Sequence, residues 1–492
     1  MSLFNLRTEI WSYPLIWNLI FILSWSILYF TFGERITANN GCGYDGHHYC
    51  QIAQKFEIFW QNKSFSTYYI HRILPCGIVY CLITGIGASL SLSNIIVGFY
   101  VLNTISWLLS VLLWHQIMKY LQISSRVQWL ISILMLVNFY VLKFIFYYPV
   151  LTDSLAFLFG TAALWFYVQD KVKMLLLIGL LGAFVYPLFS FYIFLLIIFP
   201  ISLKYKQPIQ NIKTHKDYVF IGLCLLVFVL LRTYYAYRIA YKINLDFHLN
   251  TLLYVVTYSY VLYHALPTLY CVKENTKMIL VYCIQRKNVQ KIGLAVLFLL
   301  ATIAFKKYLT QYPQMQSPTK TYFLTSVLGI GYHGATWILQ FFSGFGMIAI
   351  LLYFMLSRVA KTILSCSLGL YLLWLIAILI NLHKESRVIM DIYAFVILSV
   401  VLTLEKYHRY FNKVSDFLVV LLINIGMSKF YISIEHSALI WHSVEKIWIP
   451  KNYALSTYLM DDAQYWMLIV LFIVCTGISR LSLFRFYGRL DK

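Results

Sequence analysis

Charge is what this chain has least of. Only 12% of its 492 residues are Asp, Glu, Lys or Arg, while 61% are hydrophobic and mean hydropathy is +0.74. Soluble domains carry about twice that charged fraction, so the scarcity excludes an ordinary water-soluble protein. Acidic residues are the rarer sign, 18 against 39 basic ones, which leaves a formal charge of +21. Such an excess can mark a nucleic-acid surface when the cations gather on one face or tail. Here they sit in short clusters between apolar segments, the pattern of loops retained in the cytoplasm next to anionic lipid. The nine cysteines include no CxxC and no zinc-like Cys/His spacing, which removes the common structural metal sites. Internal repeats, low-complexity tracts and any soluble domain are also missing. The first apolar segment, about 14–33, runs into Gly33-Glu34-Arg35 instead of a small-residue cleavage pattern, so it reads as a retained span and not a signal peptide.

What remains is long apolar runs. Segments near 14–33, 93–116, 127–147, 154–169, 174–186, 188–203, 217–235, 254–271, 291–305, 337–357, 362–381, 388–404, 415–434 and 463–479 suggest an all-α polytopic membrane protein of about fourteen transmembrane helices. Residues 73–90, "ILPCGIVYCLITGIGASL", are apolar enough to cross, but a full pass there would put the richer set of basic loops outside. With both ends cytoplasmic and 73–90 skimming or re-entering the outer side from Pro75, the basic residues fall mainly inside. Backbone at that depth must be covered by protein or line a cavity, so a cavity is expected beside it. The first outer loop then runs from about 34 to 92, and the turn at Tyr186–Pro187, about 236–253, 306–336 and 435–462 are outer too.

Three outer stretches hold the chemistry: "YDGHHYCQIA" (44–53), "YYPVLTDSLAF" (147–157) and "HKESRVIMD" (383–391). A carboxylate at a membrane boundary is expensive unless paired or set in a wet cavity. Asp45, between Tyr44 and Gly46, fits a general base on a sharp turn, or an Asx-type turn that bonds its own backbone. Asp153, after Thr152, fits a second site carboxylate, or a cap or first-turn charge of the following helix. His47 and His48 are metal-ligand types, but adjacent side chains diverge, which argues against a shared ion. His383, Lys384 and Arg387 suit an anion site. The competing readings are interfacial snorkelling and an Arg387–Asp391 pair along one helix. Arg35, Arg72 and His333 are lesser candidates for that anion. Cys42 and Cys50 share one polar loop, and a bridge between them requires that loop to face an oxidising compartment.

These stretches, in this order, resemble the GT-C class of multi-pass glycosyltransferases that use lipid-linked sugars. "YDGHHYCQIA" is similar to the Trp/Tyr-Asp-x-x-x-Tyr-x-x-Ile-Ala signature of their first outer loop, "HRILP" (71–75) to Arg-x-Leu-Pro, "LTDS" to a second-loop Thr-Asp, and "HKESR" to His-Lys-Glu-x-Arg. The resemblance implies a GT-C-like fold with juxtamembrane helices in the first outer loop. It also implies a catalytic transmembrane module over 1–235 and a C-terminal set of helices, 236–492, completing the donor and acceptor cavity. Asp45 would be the base and Asp153 a second catalytic residue. His47, His48, Tyr49, Arg72, His383, Lys384, Glu385 and Arg387 would bind substrate or lipid phosphate. The expected reaction is inverting transfer of a sugar from a polyprenyl-phosphate donor to a cell-surface glycan or glycolipid. It would take place on the outer face of a bacterial inner membrane, without nucleic acid, without a certain cofactor, and with a divalent cation left open. The alternatives are a surface-glycan polymerase or ligase, and a flippase or transporter of lipid-linked sugars. Transporters favour two matching halves with broken helices, and no matching halves are visible in the sequence.

Overall fold

The computed structural model of the protein describes residues 14–201, 215–238, 245–274, 276–310, 336–381, 386–406, 414–435, 437, 439–442, 447–450 and 462–483. Among these residues, five helices are long and apolar enough to cross a bilayer: Leu15–Phe32, Leu92–Tyr120, Val219–Arg238, Asn288–Leu309 and Ala463–Arg480. Two bent pairs raise the number to seven if each is one span. The outward faces fit a lipid surround. Trp17, Ile20, Leu23, Ile27 and Leu28 of the first helix stand exposed, as do Leu223, Leu226, Val227, Leu230 and Leu231 of the third. Apolar stripes of that extent are not left to water, which fits a multi-pass membrane protein. Other segments expected as spans are shorter. Residues 174–186 and 188–203 become helices of 11 and 10 residues, only about 15 Å long at 1.5 Å per residue, against a hydrocarbon core of about 30 Å.

The chain divides into two compact units. Unit 1 takes residues 1–202, 283–317 and 390–398. Its elements are α1 (Leu15–Phe32), α2 (Gly46–Gln54), α3 (Phe56–Gln61), a 3₁₀ turn (Tyr69–Arg72), α4 (Ile73–Gly85) and α5 (Leu92–Tyr120). There follow α6 (Ser125–Leu136), a π-turn (Tyr140–Phe144), α7 (Ile145–Tyr147), α8 (Asp153–Val168), α9 (Val172–Gly182) and α10 (Phe189–Ile198). The segment 73–90 is therefore a 13-residue helix followed by an exposed turn, too short to cross, packed on α2 and α5. A cleft among the described residues of this unit is lined by Arg35, Asn40, Gly41, Ser93, Ile96 and Pro149.

Polar side chains tie the apolar helices of unit 1 together. Ser91 caps α5, its Oγ accepting from the Asn94 amide at 3.3 Å. Helices α5 and α8 pack together, and Trp107 stacks on Phe157 with centroids 4.6 Å apart. Asn18 of α1 donates to Ser132 of α6 at 2.8 Å. The chain bends by 52° between α6 and the segment 140–147. The break has an identifiable cause: Asn138 donates to the Met135 carbonyl at 2.7 Å and accepts from the Val141 amide at 3.1 Å. Just beyond it Lys143, almost wholly buried, pairs with Glu34 at 2.6 Å.

In unit 2, α11 (His215–Arg238) packs on α12 (Leu245–Glu274), and α13 (Thr276–Ile284) follows. The next helix, α14 (Arg286–Leu309), belongs to unit 1 and packs on α10 there. Unit 2 resumes with α15 (Thr336–Phe345), α16 (Met347–Phe354), α17 (Leu356–Cys366), α18 (Leu368–Asn381) and a 3₁₀ turn (Ser386–Ile389). Then come α19 (Tyr393–Lys406), whose first turns lie in unit 1, α20 (Val414–Ser428) and α21 (Asp462–Leu483). Helices α16 and α17 form the second bent pair, at 80°. Gly346 is required before α16. Its φ is +63°, a Cβ there would lie 2.4 Å from Asn424 Oδ1, and the same oxygen accepts from the Met347 amide at 2.7 Å. The all-α expectation needs one amendment: an antiparallel hairpin, β1 (Leu439–His442) with β2 (Ile447–Pro450), pairing Leu439 with Pro450 and His442 with Ile447.

Candidate functional site

The loop after α1 is shaped for one position. Asn39, Asn40, Gly41 and Gly43 all take positive φ, closing a tight turn in which the Gly43 amide donates to the Ala38 carbonyl at 2.8 Å. Gly43 and Gly46 are demanded by the ring of Tyr148. A Cβ on Gly43 would lie 2.3 Å from that ring, and the Gly46 amide donates to its hydroxyl at 2.8 Å. The glycine after Asp45 thus serves close approach to Tyr148 at the first residue of a helix, not a sharp exposed turn. A disulfide from Cys42 to Cys50 staples the turn to α2. Bridges of this kind persist in oxidising compartments, which agrees with an outward-facing loop.

Asp45 is the residue this frame presents. It sits at the N-cap position of α2 in helical conformation, half-buried, and its side chain makes no capping hydrogen bond. The Asx-turn alternative therefore falls away. Behind it, Tyr49 is fully buried, and its hydroxyl accepts from Arg72 Nη1 at 2.6 Å. Arg72 is 9% exposed and lies over the ring of Tyr186, 5.2 Å from the centroid. Burial pushes the Tyr49 phenol well above its ordinary range, partly opposed by Arg72 and reinforced by Asp45. The same loop thus brings Asp45, Tyr49 and Arg72 together.

The two histidines diverge. His47 is exposed, its Nε2 2.8 Å from Gln51 Nε2, whereas His48 lies against Tyr69 with centroids 4.6 Å apart. Burial and the neighbouring His47 lower the His48 pKa, while Asp45 opposes them. Among the described residues no group of three metal-ligating side chains forms.

Asp153 opens α8 and is 3% exposed. It is a first-turn residue; the cap position belongs to Thr152, which makes no side-chain cap. Beyond it lies a residue that the sequence suggested only as a helical partner of Arg387. Asp391 is fully buried in the turn before α19, and its carbonyl rests on Gly160 of α8, where a Cβ would lie 2.2 Å away. It does not share a helix with Arg387, which ends up half-buried in the 3₁₀ turn of unit 2. The intended i to i+4 geometry is lost because the chain turns at Met390–Ile392. Asp391 feels the charges of Arg72 and Asp153, so these three form one electrostatic group in unit 1.

A further cation joins from α14. Lys306, 8% exposed, donates to His71 Nδ1 at 2.8 Å. Burial, then Lys306 and Arg72, hold the His71 pKa down at about 3. Sequence reading passed over Lys306 because it sits in the run "ATIAFKKYL", and its only local signal is a cation pair ending an apolar helix. Arg35 is occupied locally, donating to the Phe30 carbonyl at 2.9 Å over the Phe30 ring. His383, Lys384, Glu385 and His333 lie outside the described residues. Comparison with known protein families, with curated proteins and with solved structures finds no match to this chain.

Proposed function

We propose that the protein is a membrane glycosyltransferase of GT-C type. It would transfer a sugar from a polyprenyl-phosphate donor to a cell-surface glycan or glycolipid acceptor on the outer face of a bacterial inner membrane. The full complement of about fourteen spans belongs to the same proposal. The observation that carries the reading is the state of Asp45: a carboxylate held at a helix start by a disulfide-stapled loop, half-exposed, with no hydrogen bond or ion pair among the described residues. A carboxylate fixed in place yet free of partners is what a general base needs.

In mechanism, Asp45 takes the proton of the acceptor hydroxyl as that oxygen attacks the anomeric carbon, and the bond to the lipid phosphate breaks with inversion. Tyr49 and Arg72 support the base from behind. The lipid phosphate gains charge as it leaves, and cations stabilise it. His383, Lys384 and Arg387 remain the proposed cations, with Glu385 beside them and Arg72 as a further one. The test is transfer of radiolabelled sugar from synthetic polyprenyl-phosphate donors by the purified protein. Asp45→Asn is expected to lose about 100-fold or more of turnover, the usual contribution of a positioned base. Equal transfer by both proteins would move the base elsewhere, and no transfer of any donor sugar would remove the reading.

One observation favours a second reading. Among the described residues each unit contains a bent helix pair, Ser125–Leu136 with Tyr140–Tyr147 and Met347–Phe354 with Leu356–Cys366, and paired discontinuous helices are a device of carriers. Proteoliposomes that move a lipid-linked sugar between leaflets without forming a new glycosidic bond would establish a flippase instead.

A further inference from the structure

The cleft lined by Arg35, Asn40, Gly41, Ser93, Ile96 and Pro149 has a volume of about 260 Å³, and neither Asp45, Tyr49 nor Arg72 lines it. Its walls come from the ends of two apolar spans that run antiparallel. Phe30 of α1 meets Tyr100 of α5 with ring centroids 5.1 Å apart, and Ser26 meets Thr104 at 2.7 Å. Arg35 lies just past the last residue of α1, and Ser93 is in the first turn of α5, so both stand at the same end of the pair. Next to them Ile27, Phe30 and Phe32 of α1 and Val101 and Ile105 of α5 are exposed. The cleft therefore sits at the polar rim of a lipid-facing surface.

The charge at this rim is fixed in advance. A snorkelling arginine extends toward water, whereas Arg35 is folded back, donating to the Phe30 carbonyl at 2.9 Å with its guanidinium 4.6 Å from the centre of the Phe30 ring. A guanidinium has five N–H donors, so donors remain for a ligand. Asn40 and Ser93 are exposed and add an amide and a hydroxyl, while Ile96 and Pro149 supply apolar wall. Among the described residues no acidic side chain lines the cleft, and the nearby Glu34 is paired with Lys143. The loop wall is held by positive φ at Asn39, Asn40, Gly41 and Gly43 and by the Cys42–Cys50 bridge. It packs close on α5, where a Cβ on Gly41 would lie 3.0 Å from Ile96 Cδ1. We propose that this cleft binds the headgroup of an anionic glycerophospholipid from the surrounding bilayer. Arg35 holds the phosphodiester, Asn40 and Ser93 meet the polar headgroup, and the acyl chains follow the exposed faces of α1 and α5. A site formed before the ligand arrives loses little freedom on binding. The proposal does not rest on sugar transfer.

The experiment follows lipid binding to the full-length protein in neutral detergent, by thermal unfolding and by native mass spectrometry. Wild type, Arg35→Gln, Ser93→Phe and Lys119→Gln are each titrated with phosphatidylglycerol, phosphatidylcholine, inorganic phosphate and a polyprenyl phosphate. Phosphatidylglycerol should raise the wild-type midpoint and stay bound as a single copy, with phosphatidylcholine weaker by about fivefold or more. Arg35→Gln removes the cation, and Ser93→Phe fills the cleft while leaving the cation; each should weaken binding by about fivefold or more. Lys119 is exposed at the other end of α5, and Lys119→Gln, an equal loss of charge, should bind as wild type does. Ser93 is exposed, so Ser93→Phe remains informative if Arg35→Gln does not fold. The proposal is overturned if phosphatidylglycerol leaves wild type unchanged, if Ser93→Phe binds normally, or if Lys119→Gln weakens binding as much as Arg35→Gln. An Arg35-dependent shift with inorganic phosphate alone would overturn it by assigning a site for free anions. Displacement of phosphatidylglycerol by an equal amount of polyprenyl phosphate would overturn it by assigning the cleft to the sugar donor.

Discussion

Arg72 Nη1 donates to the Tyr49 hydroxyl at 2.6 Å, and both side chains are buried behind the helix that presents Asp45. A hydrogen bond from a charged donor contributes about 1.5–3 kcal/mol, and the loss is felt most when the remaining partner stays buried. Tyr49→Phe leaves the guanidinium without that acceptor and should lower stability by about 2 kcal/mol. Arg72→Lys should not rescue, because an ammonium cannot reproduce the planar fork that also stacks on Tyr186. Thermal unfolding of both variants checks this; a Tyr49→Phe protein as stable as wild type refutes the assigned role of the bond.

The Cys42–Cys50 bridge closes a short loop, eight residues apart in sequence. Chain-entropy reasoning assigns such a loop about 2.5 kcal/mol. Serine at both positions should therefore lower the unfolding midpoint without preventing membrane insertion. Intact mass under non-reducing conditions should fall short of the fully reduced mass by the two hydrogens lost in the bond. Thiol labelling of Cys42 and Cys50 in unreduced, unfolded protein would contradict the bridge, and with it the argument for an oxidising side.

Glu34, partly exposed, and Lys143, almost wholly buried, form an ion pair beside the break after Asn138. Removing one partner of a fully buried pair typically costs about 3–5 kcal/mol, and the partial exposure of Glu34 places this pair at or below the lower end. Glu34→Gln and Lys143→Met should each be destabilising, and the double variant should recover much of the loss. Additive losses in the double variant would mean that the two groups stabilise the fold independently.

Part of this arrangement follows from local spacing. The sequence singled out Asp45 and Tyr49 in "YDGHHY" but placed Asp45 on a sharp turn; the helix start and the buried phenol behind it follow from packing against Tyr148 and Arg72. That long apolar helices are present was legible, since long runs with few charges have few other uses, although among the described residues five, or up to seven with the bent pairs, are long enough to cross a bilayer. What spacing could not convey was where helices stop. The chain breaks at Asn138 because one side chain competes for backbone partners on both sides, and it turns at Met390–Ile392 before Asp391 can align with Arg387. Asp391 and Lys306 join the site across more than 150 residues of chain. Their roles depend on packing against Gly160 and His71, which no local pattern encodes. The tail of the "HKESR" stretch shows the same limit, because charge alone identified it as one block whereas the turn at 390 splits it.

The contact between His71 and Lys306 sets a pH dependence. In the folded protein burial and the two neighbouring cations depress the His71 pKa to about 3, while an unfolded chain returns it to about 6.5. Above the unfolded value both states are neutral at this residue, and its contribution to stability is fully present. As pH falls below about 6.5 the unfolded state takes up a proton that the folded state refuses, and stability declines until the folded value is reached. His71 faces Lys306 from α14 and has Arg72 beside it, with the Phe184 ring under the lysine, and among the described residues its charged neighbours are cations, which disfavour an imidazolium. His71→Gln keeps an acceptor for Lys306 but cannot titrate. Its stability should fall less steeply than that of wild type between about pH 6.5 and 4, as followed by thermal unfolding in buffered detergent. Parallel curves for the two proteins would mean that His71 accepts its proton in the folded state, and that the Lys306 ammonium then moves away.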